Sequence, residues 1–384
     1  MTLRTALAMT CGLLAATPVF AGTNDILIGL DGKITYDANG QVNGPPGNDA
    51  VLVMDVSDPA KPRIRASLPL ANSLLGPPTN LQITPDGKLG LVADSVTDTQ
   101  DGTTWKVSPD NKVFVIDLAA NPPKLADTLT VGSQPSGLAI SRKGDLALVA
   151  NRAGKSVSVL SIQDGKVTVA GEVPLDQQAA AVAITPDGKR AFVCLNMVNK
   201  IGVLNIDGTN VTYDKALDIP SAFNPYNIEV TPNGKYAIAS NTGAMANNGD
   251  AEVTIEATGS HPHVVALMSP GNGPEGFTIS PKGKWAATPL LLGSGAKPSD
   301  WFKTKGGELV VMAVGHDGTL TVTGRAPLGA LPEGIAFSPN GGYLYVGNYL
   351  DKTLQVFRVT NGKPVQVGTM TLPGQPASMR GPAR

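Results

Sequence analysis

The sequence repeats one motif six times: an apolar stretch, a turn rich in Ser or Thr, Pro, Asp or Asn, Gly and Lys, and a second apolar stretch that mostly ends on Asp or Asn. The copies span Leu81 to Asp94, Leu138 to Asn151, Val182 to Asn196, Ile228 to Asn241, Phe277 to Leu290 and Ile335 to Asn348. A period of roughly 40 to 60 residues is typical of propellers and solenoids. The repeat therefore constrains the architecture before any single residue is interpreted.

Each copy is predicted to be a β-hairpin, because Pro favours the first corner of a tight turn and Gly accepts a positive φ at the next. After the hairpins come seven further pairs of alternating apolar segments, from Val51 to Leu70 through Leu354 to Leu372. Two hairpins in each period make a four-stranded antiparallel sheet, which is one propeller blade. The expected fold class is all-β: a seven-bladed β-propeller.

The seventh first hairpin is missing, and we expect the two ends of the chain to supply it. Pro376 to Met379 resembles the Pro135 to Leu138 segment that leads into a first strand, and Ile26 to Gly29 provides a neighbouring strand. Pairing these segments would close the ring and remove the open sheet edges on which aggregation starts.

The repeat indicates one folded domain, residues 22–384, although 384 residues alone would suggest two or three. Before it, Met1 to Ala21 carries one positive residue, an apolar run and a small final residue, which predicts a secretory signal peptide and a periplasmic or secreted protein. A lipoprotein signal acylated at Cys11 is the weaker alternative, since the usual residues before the cysteine are missing. Cys194 would then be unpaired and is expected to be a small buried apolar residue.

The net charge and the absence of several motifs argue against some classes of function. A net charge of −1 and a pI near 6.3 argue against a protein built to bind nucleic acid or anionic membranes. The sequence holds no nucleophile elbow, phosphate loop, Cys-x-x-Cys or haem-attachment motif, and its three histidines fall in outer turns. We therefore expect no cofactor, no metal and no membrane span, in a monomer whose partner is a small polar molecule or a secreted protein.

The segment Ser338-Pro339-Asn340-Gly341, followed by Tyr345-Val346-Gly347-Asn348, resembles the Tyr-Val-Thr-Asn (YVTN) type of propeller repeat. This repeat occurs in the lactonase-like seven-bladed superfamily, and the resemblance covers roughly residues 24 to 384. It implies a fold more than a function, because such propellers include lactonases, cycloisomerases, lyases and surface-layer proteins.

In such a ring, the loops that lead into the innermost strands and those that follow the second strands meet at one mouth of the central channel, where functional sites usually lie. These loops are rich in amides, and the predicted ligand-binding residues there are Asn151, Asn196, Asn227, Asn241, Asn272 and Asn348, with Tyr226. The alternative is structural and is favoured by the recurrence of Asn: its side chain bonds to its own loop backbone in each blade.

Residues that depart from the repeat are more informative. Glu275 and Glu333 follow Pro at the same position in two consecutive copies, where other copies have uncharged residues. Two close carboxyl groups could act as an acid/base pair or bind a hard cation; two solvated rim acids are the alternative. Arg152 is the one arginine predicted at the mouth apart from Arg380. The resemblance implies more basic groups in phosphogluconolactonases and cycloisomerases, so those two activities are disfavoured.

Two loops are longer than the repeat requires, Ser95 to Lys112 with Trp105 and Leu291 to Gly307 with Trp301. Long loops in compact folds are often lids or partner contacts, and an exposed Trp is costly, so both are predicted to contribute to binding or to pin their loops to a blade.

The favoured interpretation is a propeller that binds a small polar ligand or a protein partner at the channel mouth. One alternative is a lactonase-like hydrolase or isomerase with Glu275, Glu333 and Arg152 as catalytic residues. Another is a scaffold subunit of a periplasmic complex.

Overall fold

The computed structural model describes residues 24–243 and 251–384. The predicted signal peptide and Cys11 lie outside these residues. The described chain folds into seven four-stranded antiparallel sheets arranged as a ring, so the prediction of a seven-bladed propeller is confirmed.

Within each blade the strands follow one another from the channel outward. Blade 1 contains Gln375–Arg380, Asp25–Asp31, Ala50–Asp55 and Arg63–Leu68; blade 2 contains Leu81–Ile83, Leu89–Asp101, Thr104–Asp117 and Lys124–Thr130; blade 3 contains Pro135–Ile140, Leu146–Asn151, Ser156–Gln163 and Lys166–Pro174. Blade 4 contains Val182–Ile184, Arg190–Leu195, Lys200–Asp207 and Asn210–Tyr213; blade 5 contains Pro225–Val230, Tyr236–Asn241, Ala251–Glu256 and His263–Met268. Blade 6 contains Thr278–Ile279, Trp285–Leu290, Glu308–Val314 and Leu320–Pro327; blade 7 contains Pro332–Phe337, Tyr343–Asn348, Thr353–Thr360 and Lys363–Thr371.

Besides one inserted hairpin, three short elements in the described residues lie outside this pattern. A fifth strand, Ile219–Pro220, pairs with the third strand of blade 4, and two 3-10 turns cover Asn196–Val198 and Lys215–Leu217. No helix in the described part of the chain is long and apolar enough to cross a membrane.

The ring closes as the sequence predicts. Gln375–Arg380 pairs antiparallel with Asp25–Asp31, and the register places Leu27 opposite Arg380 and Gly29 opposite Ser378. The inner edge of Asp25–Asp31 is thereby paired.

The repeated turn is held by its own side chains. In blade 2 the Thr84 hydroxyl donates to the Asp86 carboxylate at 2.7 Å, and that carboxylate accepts the Lys88 backbone N–H at 3.1 Å. Gly87 takes φ = 73°, which is the left-handed conformation that the turn requires. Blades 4, 5 and 7 repeat the hydroxyl contact through Thr185, Thr231 and Ser338. The shared geometry explains why the motif recurs along the chain.

Apolar clusters between neighbouring blades form the core. Leu148 and Val159 of blade 3 pack in one cluster with Val193 and Leu204 of blade 4, for example. Cys194 is fully buried, as predicted, and burial raises the pKa of its thiol far above the ordinary value. It is therefore a packing residue.

Two elements differ from the sequence-based expectation. Much of the segment predicted as a long loop from Ser95 to Lys112 is a β-ribbon, because the second and third strands of blade 2 extend to Asp101 and Thr104. A hairpin that the repeat did not reveal, strands Ile34–Asp37 and Gly40–Asn43, is inserted in blade 1. We call it the mouth hairpin.

Buried charges fix the base of the mouth hairpin. The Lys33 ammonium lies 2.7 Å from a carboxylate oxygen of Asp49 and 3.4 Å from one of Asp31. It also donates to the Asn72 carbonyl. Asp31 accepts the Leu74 N–H at 2.8 Å, so the cluster joins blade 1 to the loop that leads into blade 2. All of its charged groups are buried, which makes their mutual pairing necessary.

Candidate functional site

Glu275 and Glu333 lie at the start of the innermost segments of blades 6 and 7. Each is followed by a glycine, and a side chain at Gly276 would collide with the backbone carbonyl of Glu333. The two blades therefore approach each other so closely at this point that only glycine fits. Both glutamates are buried, with exposures of 6% for Glu275 and 2% for Glu333. The two carboxyl groups predicted from the broken repeat thus occur as an adjacent buried pair.

Burial and mutual repulsion change how this pair ionises. Burial raises the pKa of Glu275 to about 7, and the nearby Arg152 charge limits the rise. Burial raises the pKa of Glu333 well above its ordinary value, and the negative charge of Glu275 adds to the effect. One Glu333 oxygen, Oε2, has no hydrogen-bond partner among the described residues. The pair therefore keeps a proton to a higher pH than two separate, solvated carboxyl groups would.

Arg152 provides the positive charge beside this pair. It follows the second strand of blade 3, and its backbone N–H donates to the Gln134 carbonyl at 2.9 Å. Its guanidinium lies over the ring of Tyr226, 5.6 Å from the centroid, a cation–π arrangement. The guanidinium Nε is buried without a hydrogen-bond partner among the described residues, so it retains an unused donor. Burial raises the pKa of the Tyr226 hydroxyl to about 12, which keeps that hydroxyl protonated at neutral pH.

Tyr36 of the mouth hairpin is a site residue that the sequence reasoning missed. Burial and the charges of Glu333 and Glu275 raise its pKa, which places it in the field of both carboxyl groups. Its ring meets that of Tyr349 edge-on, with centroids 6.4 Å apart. The available signal was the Asn39-Gly40 pair between two short alternating segments, which is a common hairpin turn.

Glu275, Arg152, Tyr226 and Tyr36 border a cavity of about 470 Å³ at the channel mouth, whereas Glu333 is not among its lining residues. Its polar wall includes Arg152, Glu275 and amide side chains, and its apolar wall comes from three loops and the two tyrosines. The lining residues are Tyr36, Gln41, Leu74, Leu75, Arg152, Asn196, Met197, Asn199, Phe223, Asn224, Tyr226, Thr242 and Glu275. The volume lies within the usual range for a small-molecule site.

Most of the predicted asparagines are engaged within the protein. The amide of Asn151 donates to Ser156 and Ser158 at 2.9 Å, and that of Asn348 donates to Thr353 at 3.0 Å. Asn241 donates to the Ala251 carbonyl at 2.8 Å, the Asn227 side-chain oxygen accepts the Ile228 N–H at 2.8 Å, and the Asn272 carbonyl accepts the Leu292 N–H at 3.2 Å. Among the described residues, the buried Oδ1 atoms of Asn151 and Asn196 both have no hydrogen-bond partner. Asn196 differs from the other predicted asparagines because it lines the cavity.

The two tryptophans lie outside the cavity lining. Trp105 is half-buried near the tip of the blade 2 ribbon, opposite Gln100. Trp301 is 90% exposed and touches Phe302 edge-on at 5.6 Å. The expectation that both rings would be covered therefore does not hold for Trp301, whose only aromatic neighbour within the described residues is on the same loop.

The opposite end of the channel has charged residues that already satisfy one another. Arg380 and Glu229 form an ion pair at 3.5 Å beside a cavity of about 100 Å³. Glu229 also accepts the Ile279 N–H at 2.8 Å, and Arg380 donates to the Leu138 carbonyl at 2.6 Å. The mouth cavity, with its unused donor and acceptor atoms, is the better candidate for a binding site.

No metal site is apparent in residues 24–243 and 251–384, where no three or more His, Cys, Asp or Glu side chains are arranged to hold an ion.

Comparison with known proteins supports the fold. No protein-family model matches the sequence, and no curated protein sequence is significantly similar to it. Among solved structures, a Bacteroides fragilis protein provisionally assigned as a 6-phosphogluconolactonase has a TM-score of 0.71 at 17% identity, over 95% of this chain and 99% of that one. A periplasmic gluconolactonase from Pseudomonas aeruginosa has a TM-score of 0.68 at 17% identity, over 93% of this chain and 98% of that one.

Hydrazine synthase from Kuenenia stuttgartiensis is also similar, with a TM-score of 0.57 at 21% identity over 75% of this chain and 78% of that one. Proteins of quite different chemistry thus share the architecture. The chain has the seven-bladed propeller fold of these structures, and its function must be argued from its own site.

Proposed function

We propose that this protein is a lactonase-like hydrolase that opens cyclic esters in the mouth cavity. The observation that carries the proposal is the buried Glu275–Glu333 pair, whose raised pKa values leave one carboxylate and one carboxylic acid together near neutral pH. That combination provides a base and an acid at one point. The lactonase names borne by two structural neighbours agree with this chemistry.

In the proposed reaction Glu275 accepts a proton from a water molecule as the water oxygen bonds to the lactone carbonyl carbon. The Arg152 guanidinium, with its unused Nε–H, stabilises the negative charge that develops on the carbonyl oxygen. The ring C–O bond then breaks, and Glu275, which lines the cavity, gives the proton it took from the water to the departing alkoxide. Protonated Glu333 beside it stabilises the carboxylate that re-forms on Glu275. The product is a hydroxy acid, and the pair is back in its starting state.

The proposed setting is the periplasm or the extracellular space. Its support is the signal-peptide pattern of residues 1–21 and the periplasmic location in the name of the Pseudomonas aeruginosa neighbour. In this proposal residues 22–384 form the mature single-domain protein.

Binding without catalysis is the second candidate, because the exposed Trp301 favours a contact with a protein partner. It predicts a partner that co-purifies with the wild-type protein and is lost from Trp301→Ser, with no lactone hydrolysis by either.

The test of the hydrolase is a lactone panel assayed by pH-stat titration of the acid released. Glu275→Gln and Glu333→Gln should each lower kcat by roughly a hundredfold or more, as the loss of a general acid or base does. Glu229→Gln is the matched control, since it changes a half-buried channel carboxylate at the opposite end. Hydrolysis that survives both mouth changes, or that is absent from the wild type on every lactone, would refute the proposal.

A further inference from the structure

We infer that the mouth cavity selects uncharged lactones with an apolar substituent and rejects phosphorylated sugar lactones. This inference rests on the proposed hydrolase function and names its substrate class. It is carried by the charges, the apolar wall and one unpartnered amide of the cavity.

The cavity has too little positive charge for a phosphate. Among the described residues that line it, Arg152 is the single cation. Its guanidinium is stacked on Tyr226 and lies in the field of Glu275. A phosphate monoester carries a charge of about −1.5 to −2 and needs several charge-assisted donors. Bound beside a carboxyl pair that is itself partly ionised, it would face net repulsion.

Other mouth cations are engaged elsewhere. The Lys33 ammonium is buried and paired with Asp31 and Asp49. The side chain of Lys297 packs along Gly40, on the mouth hairpin. Neither is among the residues that line the cavity.

Part of the cavity lining is apolar and exposed. Met197 of the 3-10 turn and Phe223 of the loop before blade 5 are 66% and 53% exposed, although both line the cavity. Leu74 and Leu75 of the loop before blade 2 add further apolar side chains to the lining. Exposed apolar side chains that border a pocket mark a surface that a ligand covers, and Met adapts readily to different substituents.

Asn196 supplies a polar contact in the cavity, next to the apolar residue Met197. Its side chain is 5% exposed, and its Oδ1 has no hydrogen-bond partner among the described residues. Because Asn196 is adjacent to Met197 in the chain, a ligand that contacts both would hold one hydroxyl or water near the apolar wall. The geometry points to a ring with its ester at Glu275 and a hydrocarbon substituent at Met197 and Phe223.

Four lactones test this inference: δ-nonalactone, which has a butyl substituent; δ-valerolactone, which has none; glucono-δ-lactone; and 6-phosphoglucono-δ-lactone. We expect kcat/KM for δ-nonalactone to exceed that for the phosphorylated lactone by about a hundredfold, since apolar contacts alone discriminate by roughly 10- to 200-fold. A preference for the phosphorylated or the polyhydroxylated lactone would overturn the inference while leaving the hydrolase proposal intact.

Variants locate the selectivity. Met197→Ser and Phe223→Ser should each lower kcat/KM for δ-nonalactone by about tenfold more than they lower it for δ-valerolactone, which has no substituent to contact these residues. Leu267→Ser is the matched control, because Leu267 is a similarly exposed apolar residue on the outer strand of blade 5 and is 64% exposed. Equal losses on both lactones, or no loss on either, would contradict the assigned wall.

Binding separates the two proposals. The lactam 6-butylpiperidin-2-one has the shape of δ-nonalactone and resists hydrolysis, so calorimetry reports its affinity whether or not the protein is an enzyme. We expect binding by the wild type that is about tenfold weaker in Phe223→Ser. Lactam binding without hydrolysis of any lactone would reject the hydrolase and keep the ligand class; absence of lactam binding would reject the ligand class.

Discussion

The Tyr349 hydroxyl of blade 7 donates a hydrogen bond to the Ile34 carbonyl of the mouth hairpin at 2.7 Å. This contact joins the last complete blade to an insertion near the start of the chain. The Gln375 amide reaches the same carbonyl at 3.1 Å, so the hairpin is tied to two elements that surround the channel. Tyr36 follows Ile34 by two residues and lines the cavity together with Glu275. The anchoring of Ile34 therefore determines the position of Tyr36 in the cavity.

Replacing Tyr349 with Phe should loosen the mouth hairpin. We expect a loss of about 1 kcal/mol in unfolding free energy, the net value of one buried hydrogen bond, and faster amide exchange confined to residues 34–43. Tyr345→Phe is the control, because its hydroxyl donates to the distant Pro59 carbonyl at 2.9 Å. Faster exchange of the hairpin in both variants would show that Tyr349 has no specific anchoring role.

Glu333→Gln should stabilise the protein at alkaline pH. A carboxyl group whose pKa is raised on folding favours the native state while it is protonated, and that stability falls as pH rises from its unfolded pKa through its folded one. The side-chain amide of the Glu333→Gln variant does not ionise, so the variant does not lose stability in this way. We expect similar unfolding free energies for variant and wild type at pH 4 and a higher value for the variant at pH 9, by about 1.4 kcal/mol for each unit by which folding raises the pKa of Glu333. Urea denaturation at pH 4 and at pH 9 measures these unfolding free energies. A gain of the same size at pH 4 would exclude ionisation of Glu333 as its cause.

The pH profile of hydrolysis should shift when Arg152 is replaced. In the wild type kcat/KM is expected to rise through an apparent pKa near 7 as the pair loses a proton. The Arg152 charge lowers the pKa of Glu275. Arg152→Met should therefore shift the rising part of the kcat/KM profile to higher pH and also reduce the rate. A pH profile of kcat/KM measures both effects. The control is Arg142→Met, on an exposed turn, which should not shift the profile. If Arg152→Met does not shift the profile either, Arg152 does not influence the ionisation of the carboxyl pair.

Lys33→Met should strongly destabilise the fold. The substitution leaves the buried carboxylates of Asp31 and Asp49 without their counter-ion, which typically costs about 3–5 kcal/mol. Adding Asp49→Asn removes one of the stranded charges and should recover part of the loss. Unfolding free energies of the single and double variants test this relationship. If the double variant is as unstable as the single one, the ion pairs are not the reason for the effect.

The fold could be predicted because the sequence signals for the blades recur at a regular spacing along the chain. Each turn motif fixes the same hydrogen bonds, as at Thr84 and Thr185, and the surplus of second hairpins required the ends to pair. The carboxyl pair was found for the opposite reason, since Glu275 and Glu333 interrupt the period at one position in adjacent copies.

The remaining parts of the site carry no periodic signal. The mouth hairpin is inserted before the first complete repeat, so nothing in the repeat predicts Tyr36 over the mouth. Met197 and Phe223 are single apolar residues in loops, and only the folded chain shows that both border one cavity. The strong burial of the glutamates likewise depends on how closely two blades approach at Gly276, a distance that no local sequence pattern encodes.

The pairing of Leu27 with Arg380 has a consequence for how the chain reaches this structure. The innermost strand of blade 1 is made after all the others, so the first blade stays incomplete until the final residues have been synthesised. Contacts between such distant segments form slowly, because a long loop must be closed before they can be gained. During that interval Asp25–Asp31 presents an unpaired apolar edge, and such edges favour aggregation until they are paired.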